Sequence, residues 1–136
     1  MNIELSDKDF RFLLDLVYIG NWILNSTRDN DRIEEYEALE EKIFAYCAGT
    51  ELQPLISVED GAVYPSKDYE EGGIQEAIAD YEDAVFFEIL AEELARRDMK
   101  AESVSQDNFP ELSRRVDEYI AEFEKNGVKN LSVEMK

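Results

Sequence analysis

Carboxylates are the most abundant titratable side chains of this sequence, and their spacing sets the chemistry open to it. Glu37 and Glu40 stand three residues apart, as do Asp80 and Asp83, while Glu88 and Glu92 stand four apart, so on helices each pair shares one face. Carboxylates presented by two helices suit Mg²⁺ or Mn²⁺, hard cations that take oxygen ligands. The 136 residues contain no histidine. That excludes Ser-His-Asp and Cys-His relays, the HExxH zinc helix, Glu-x-x-His di-iron sites and any imidazole pH switch. A single cysteine, Cys47, leaves no internal disulfide, no multi-cysteine zinc site and no Cys-x-x-Cys redox pair. Its place on the apolar side of its helix reads as an unreactive core thiol, and no cofactor is expected.

Glu37-x-x-Glu40 resembles the first half of the signature of the all-helical nucleotide pyrophosphatases, a Glu-x-x-Glu followed on the next helix by Glu-x-x-Asp. This sequence departs from the second half, with Asp80-x-x-Asp83 in its place and a long intervening segment. The resemblance implies, as an alternative, a metal-dependent nucleotide phosphohydrolase with Glu37, Glu40, Asp80 and Asp83 around the ion.

The charge distribution points to a different class. There are 33 Asp and Glu against 14 Lys and Arg, a formal net charge of −19. Between Glu59 and Glu93 twelve carboxylates face Lys67 alone, so a quarter of the chain holds more than half of the excess. Direct binding to nucleic acid or to an anionic membrane is disfavoured, because both need basic groups to replace counterions. A basic protein surface is the expected partner, with Glu70, Glu71, Glu76, Asp80 and Asp83 as the acidic face that meets it. The expected function is therefore a non-enzymatic interaction protein: an inhibitor, an immunity factor or a nucleic-acid mimic. The bland reading of the same residues is a solvated face that maintains solubility.

The elements that must position these groups are four helices in a single mainly helical domain, residues 1–136, packed around the first and third. The first runs from Ser6, a capping residue, to about Arg28. Its apolar side chains, Phe12, Leu13, Leu14, Leu16, Val17, Ile19, Ile23 and Leu24, cover most of the circumference, which places it in the centre of a core. One polar stripe remains, holding Arg11, Asp15, Asn25 and Ser26 with Tyr18 and Trp22. Those two aromatics form either an exposed patch, suited to the two-fold interface of a homo-oligomeric structural protein, or a pair covered by another helix. The second helix is expected from Asp29 or Asn30 to Gly49, a left-handed C′ glycine.

Residues 50–72 break the helical pattern. Leu55 to Val58 and Ala62 to Tyr64 flank Glu59-Asp60-Gly61, which predicts a short β-hairpin, or otherwise an irregular arm, between the second and third helices. The third helix, Gly73 to Asp98, reverses its apolar face near Ala84 to Phe87, so it either bends there or packs its halves on different neighbours. The fourth is marked by Asp107 or Asn108 as cap, Pro110 in the first turn and Gly127 past the end, with residues 128–136 as a short strand or a frayed tail.

Tyr81-Glu82-Asp83-Ala84-Val85-Phe86-Phe87-Glu88-Ile89-Leu90, continuing to Leu94-Ala95-Arg96-Arg97-Asp98, resembles a pattern of small, acidic, mostly helical bacterial proteins of no assigned function. It implies a bacterial or mobile-element protein and transfers no catalytic residue. The N-terminus lacks a basic stretch, and no run of about 18 apolar residues occurs, so a cytoplasmic location is expected.

Overall fold

The computed structural model describes residues 1–100 and 103–135. Among them are four long helices, Asp7–Asn25, Glu34–Phe44, Gln75–Met99 and Phe109–Asn126, with a two-stranded antiparallel hairpin between the second and third. No helix of the described residues is long and apolar enough to cross a membrane. The residues fall into two compact units, Met1–Ile78 and Ala79–Lys136, each with its own buried cluster.

In the first unit, Ser6 caps the first helix as its sequence suggests, its Oγ accepting the Asp9 N–H at 3.0 Å. The helix ends at Asn25, three residues before the expected Arg28. Asn25 is 1% exposed, and its amide folds back on the chain: it accepts the Ile33 N–H at 2.7 Å and donates to the Ile33 carbonyl at 3.1 Å and to Asn21 Oδ1 at 2.7 Å. This clamp holds residues 26–33 as a loop and moves the start of the second helix from the expected Asp29 or Asn30 to Glu34. Arg28 to Asp31 at 3.0 Å and the Arg32–Glu37 pair brace the same loop. The second helix then tightens into a 3₁₀ turn, Ala45–Cys47, and stops before Gly49, whose φ of 73° is the left-handed conformation expected of it.

The hairpin pairs Ile56–Glu59 with Ala62–Pro65, Glu59 opposite Ala62. Asp60 and Gly61 both have positive φ, 51° and 80°, the requirement of a two-residue turn matching strand twist. Its outer strand is tied to the second helix by the Val63 N–H, which donates to Glu41 Oε1 at 3.0 Å. Leu14, Tyr18, Phe44, Cys47, Ile56, Tyr69, Ile74 and Ile78 make the buried cluster. Tyr69 sits at its middle, edge-on to Tyr18 and Phe44 with centroids at 5.3 and 5.1 Å.

The first helix does not lie in the centre of that cluster. Its packed side is the stripe of Leu14, Tyr18, Asn21 and Asn25, whereas Phe12, Leu16 and Ile23 on the opposite side are 55, 70 and 60% exposed. Polar groups occupy the packed side because each finds a partner there, and on the other side Lys8 lies over the Phe12 ring at 5.9 Å.

The third helix is uninterrupted from Gln75 to Met99. Ile78 belongs to the first cluster, while Ala91 and Leu94, with Phe87 and Leu90 against them, belong to the second. The reversal of its apolar face therefore corresponds to two halves with different neighbours. In the second unit Phe87 packs on Phe123 of the fourth helix at 5.5 Å, and Tyr119 stacks on Phe123 at 6.0 Å. Asn108 precedes the fourth helix and Gly127, at φ 57°, follows it. Residues 128–135 form no strand; a turn there is held by Asn130, which donates to Glu122 Oε1 at 2.7 Å.

Replacing Asn25 by Ala would leave the Ile33 N–H and C=O without partners, so Asn25→Ala should lose about 1–3 kcal/mol in chemical denaturation. An unchanged unfolding midpoint would mean the clamp is dispensable.

Candidate functional site

Cations are the scarce partner in this chain, and the ion pairs show where they go. All seven arginines are held by carboxylates of their own sequence neighbourhood: Arg11 by Asp15 at 2.8 Å, Arg28 by Asp31, Arg32 by Glu37, Arg96 by Glu92 at 2.8 Å, Arg97 by Asp98 at 2.8 Å, Arg114 by Glu118 at 2.6 Å and Arg115 by Glu111 at 3.0 Å. Glu76, Asp80 and Asp83 are exposed and, among the described residues, have no basic partner. Asp80 and Asp83 stand at i and i+3 of the helix, hence on one face of it in the second unit, while Glu76 precedes them in the first. Glu71 is also exposed and is met by Lys67 at 3.7 Å, a solvated pair that neutralises little.

Glu70 is placed differently from the rest of the expected acidic face. It is half-buried in the irregular turn Glu70–Ile74, where Gly73 at φ 119° lets the chain kink before the third helix. Burial raises the pKa of both Tyr18 and Glu40, and the charge of Glu70 adds to each. Tyr18 is 6% exposed and its hydroxyl accepts from Gln75 Nε2 at 2.5 Å. Trp22, half-buried, stacks on it at 6.1 Å. The aromatic pair is thus covered within its own unit and is no exposed patch.

A polar network that sequence reasoning missed lies beside this pair. Asn21 Nδ2 donates to Glu40 Oε2 at 2.5 Å, and Asn21 Oδ1 accepts from the clamp residue Asn25. Burial pushes the Glu40 carboxyl above the usual range; the Asn21 hydrogen bond opposes this, and the charges of Glu37 and Glu70 add to it. On the other flank of Tyr69, its hydroxyl donates to Asp15 Oδ1 at 2.8 Å, and burial, then Asp15, raises the phenol. Arg11 holds the same Asp15 and lies over the Tyr69 ring at 5.3 Å. The signal was the asparagine pair four residues apart on the helix's only polar stripe, which marks a side that must find partners.

Of the alternative metal set, Glu37 is engaged by Arg32 and Glu40 by Asn21, while Asp80 and Asp83 stand exposed in the second unit. Among the described residues no three Asp, Glu or Cys side chains gather as ligands for an ion. Cys47 is fully buried, and burial raises its thiol pKa, the opposite of what a nucleophile requires. In the second unit an open depression of about 360 Å³ runs beside the fourth helix, lined by Tyr119, Glu122, Phe123 and Leu131, and none of the singled-out acids lines it. Compared with models of protein families, with curated proteins and with solved structures, the chain matches none.

The raised Glu40 pKa has a definite sign. Its contribution to stability is present in full below the ordinary carboxylate pKa of the unfolded chain and is lost as pH rises through the higher folded value. Glu40→Gln keeps an oxygen for Asn21 without the charge. Thermal unfolding should therefore show the variant more stable than wild type at pH 7 and the gap closing toward pH 4; a variant less stable at both would mean the charged form is the favoured one.

Proposed function

We propose that the protein is a non-enzymatic interaction protein of the cytoplasm whose acidic residues engage a basic surface on a protein partner, as an inhibitor, an immunity factor or a nucleic-acid mimic would. The observation that carries this reading is that Glu76 in the first unit and Asp80 and Asp83 in the second are exposed and, among the described residues, unpaired, in a chain whose arginines are all engaged elsewhere. Exposed carboxylates without counter-charge raise the local negative potential, and a partner that brings lysines or arginines relieves their repulsion. Such charge speeds encounter with basic surfaces and turns away acidic ones. In the turn before the helix Glu71 is a further exposed carboxylate, and Glu70 a half-buried one whose charge bears on Tyr18. The phosphohydrolase reading gains no support from the side chains of Glu37 and Glu40, both of which are occupied by neighbours of their own unit.

The test uses immobilised protein exposed to a lysate of its own cell, followed by measured affinity for the protein retained. Changing Glu76, Asp80 and Asp83 together to Lys should weaken that affinity about tenfold or more, whereas the same change at Glu118 and Glu122 should alter it by no more than about twofold. Equal retention by both variants would remove these carboxylates from the function.

A further inference from the structure

The hairpin of the first unit has two edges, and they differ. Its strands turn through Asp60 and Gly61 with Glu59 opposite Ala62, and the Ser66 N–H donates to the Leu55 carbonyl at 2.9 Å. Alternation then sets which groups face across the pair: those of Leu55, Ser57 and Glu59 point at the other strand, while those of Ile56, Val58, Val63 and Pro65 point outward. On the strand Ala62–Pro65 the outward Val63 N–H donates to Glu41 Oε1 at 3.0 Å, and Pro65 has no N–H to offer. That edge is closed. On the strand Ile56–Glu59 the Ile56 N–H turns back to the Gln53 carbonyl, which leaves the Val58 N–H, the Val58 C=O and the Ile56 C=O along one side. Among the described residues none of these three has a hydrogen-bond partner, and Val58 is 59% exposed.

We infer that this open edge takes up an extended basic segment of a protein partner as a third, antiparallel strand. The main chain supplies the attraction, because Val58 can give one hydrogen bond and take one from the residue set opposite it. Side chains supply the choice. Val58 shares a face with Ile56, and Ser57 and Glu59 share the other with Tyr64. An added strand therefore places an apolar residue beside Val58 and its alternate residues beside Ser57 and Glu59.

Charge decides which strand fits. Open edges are commonly guarded by lysine, proline or a bulge. The strand Ile56–Glu59 has none of them, since its register is unbroken and its one charged residue is Glu59, followed by Asp60, both exposed. From Ile43 to Ser66 there is no lysine or arginine, and the charged residues are Glu51, Glu59 and Asp60. An edge guarded by acids alone turns away acidic strands, a second copy of charge −19 included, and admits one that sets lysine or arginine beside Glu59. The edge uses none of Glu76, Asp80 and Asp83, so it stands or falls apart from the reading built on them.

The probe is a capped synthetic peptide, Thr-Lys-Val-Lys-Val-Lys-Thr, titrated into the full chain and read by affinity and by hydrogen exchange at the Val58 amide. That amide should exchange rapidly in the free chain and about tenfold or more slowly with peptide bound. In an antiparallel third strand the peptide's valine amides face Val58 and its lysine amides face water. N-methylation of the valines should thus weaken binding about fivefold or more, and N-methylation of the lysines should not. Glutamates in place of the peptide's lysines should abolish binding. Val58→Pro should remove binding with the fold kept, because an edge strand tolerates proline where its N–H faces water. The methylated peptides are compared on the wild-type chain, so they decide the matter even where that variant fails to fold. A chain with Glu76, Asp80 and Asp83 changed to Lys should still show protection at Val58, which separates this edge from the acidic-face reading. The proposal is overturned by a Val58 amide that is slow in the free chain or unprotected by the peptide, by protection that grows with protein concentration alone, or by equal affinity for the two methylated peptides.

Discussion

Thirty-three carboxylates share 136 residues with seven arginines and seven lysines, and every arginine is already held by a carboxylate close to it in the chain. Among the described lysines only Lys67 meets a carboxylate within 4 Å, so the pairing falls to the arginines. Pairs form where they brace something: Arg28 and Arg32 fix the loop after the first helix, and Arg97 with Tyr119 holds Asp98 at the end of the third, keeping that carboxyl below its ordinary pKa. Away from the arginines, carboxylates either find neutral donors, as Glu40 does in Asn21 and Glu41 in the Val63 N–H, or remain in water, as Glu76, Asp80 and Asp83 do. Amide N–H groups thus serve the half-buried Glu40 and Glu41.

Neutral donors also shape the first unit. A helix that is apolar nearly all round would ordinarily sink into a core, but this one turns its polar stripe inward because that stripe carries the hydrogen bonds the fold needs. Asn25 closes the loop to Ile33, Asn21 holds Glu40, and Asp15 takes the Tyr69 hydroxyl. Each of these groups would cost more unpaired and buried than an exposed leucine costs in water. The consequence is that Phe12, Leu16 and Ile23 remain more than half exposed on the outer side.

Much of the fold was legible in the sequence where the signal is local. Ser6 caps as its type requires, Asp60-Gly61 adopts the paired positive φ of a tight hairpin turn, and Gly127 follows the fourth helix. The reversal of the third helix's apolar face correctly announced two sets of neighbours. What was not legible depends on contacts distant in sequence. The loop 26–33 exists because one amide reaches across eight residues, which no capping rule applied to Asp29 or Asn30 reveals. Periodicity showed that the first helix has apolar residues on most sides but not which side would be covered. The acidic site was readable in its exposed members, whereas Glu70 and Glu40 became half-buried neighbours of Tyr18 through packing that composition does not encode.

The central claim is that the unpaired carboxylates of the third helix exist to meet a cationic surface. The salt dependence of the dissociation constant for the partner that the chain retains tests it most directly. Between about 50 and 500 mM monovalent salt the dissociation constant should rise by about tenfold or more, through faster release and slower encounter. A constant that stays level across that range would show that the partner is held by apolar contacts and that these carboxylates are only solvated.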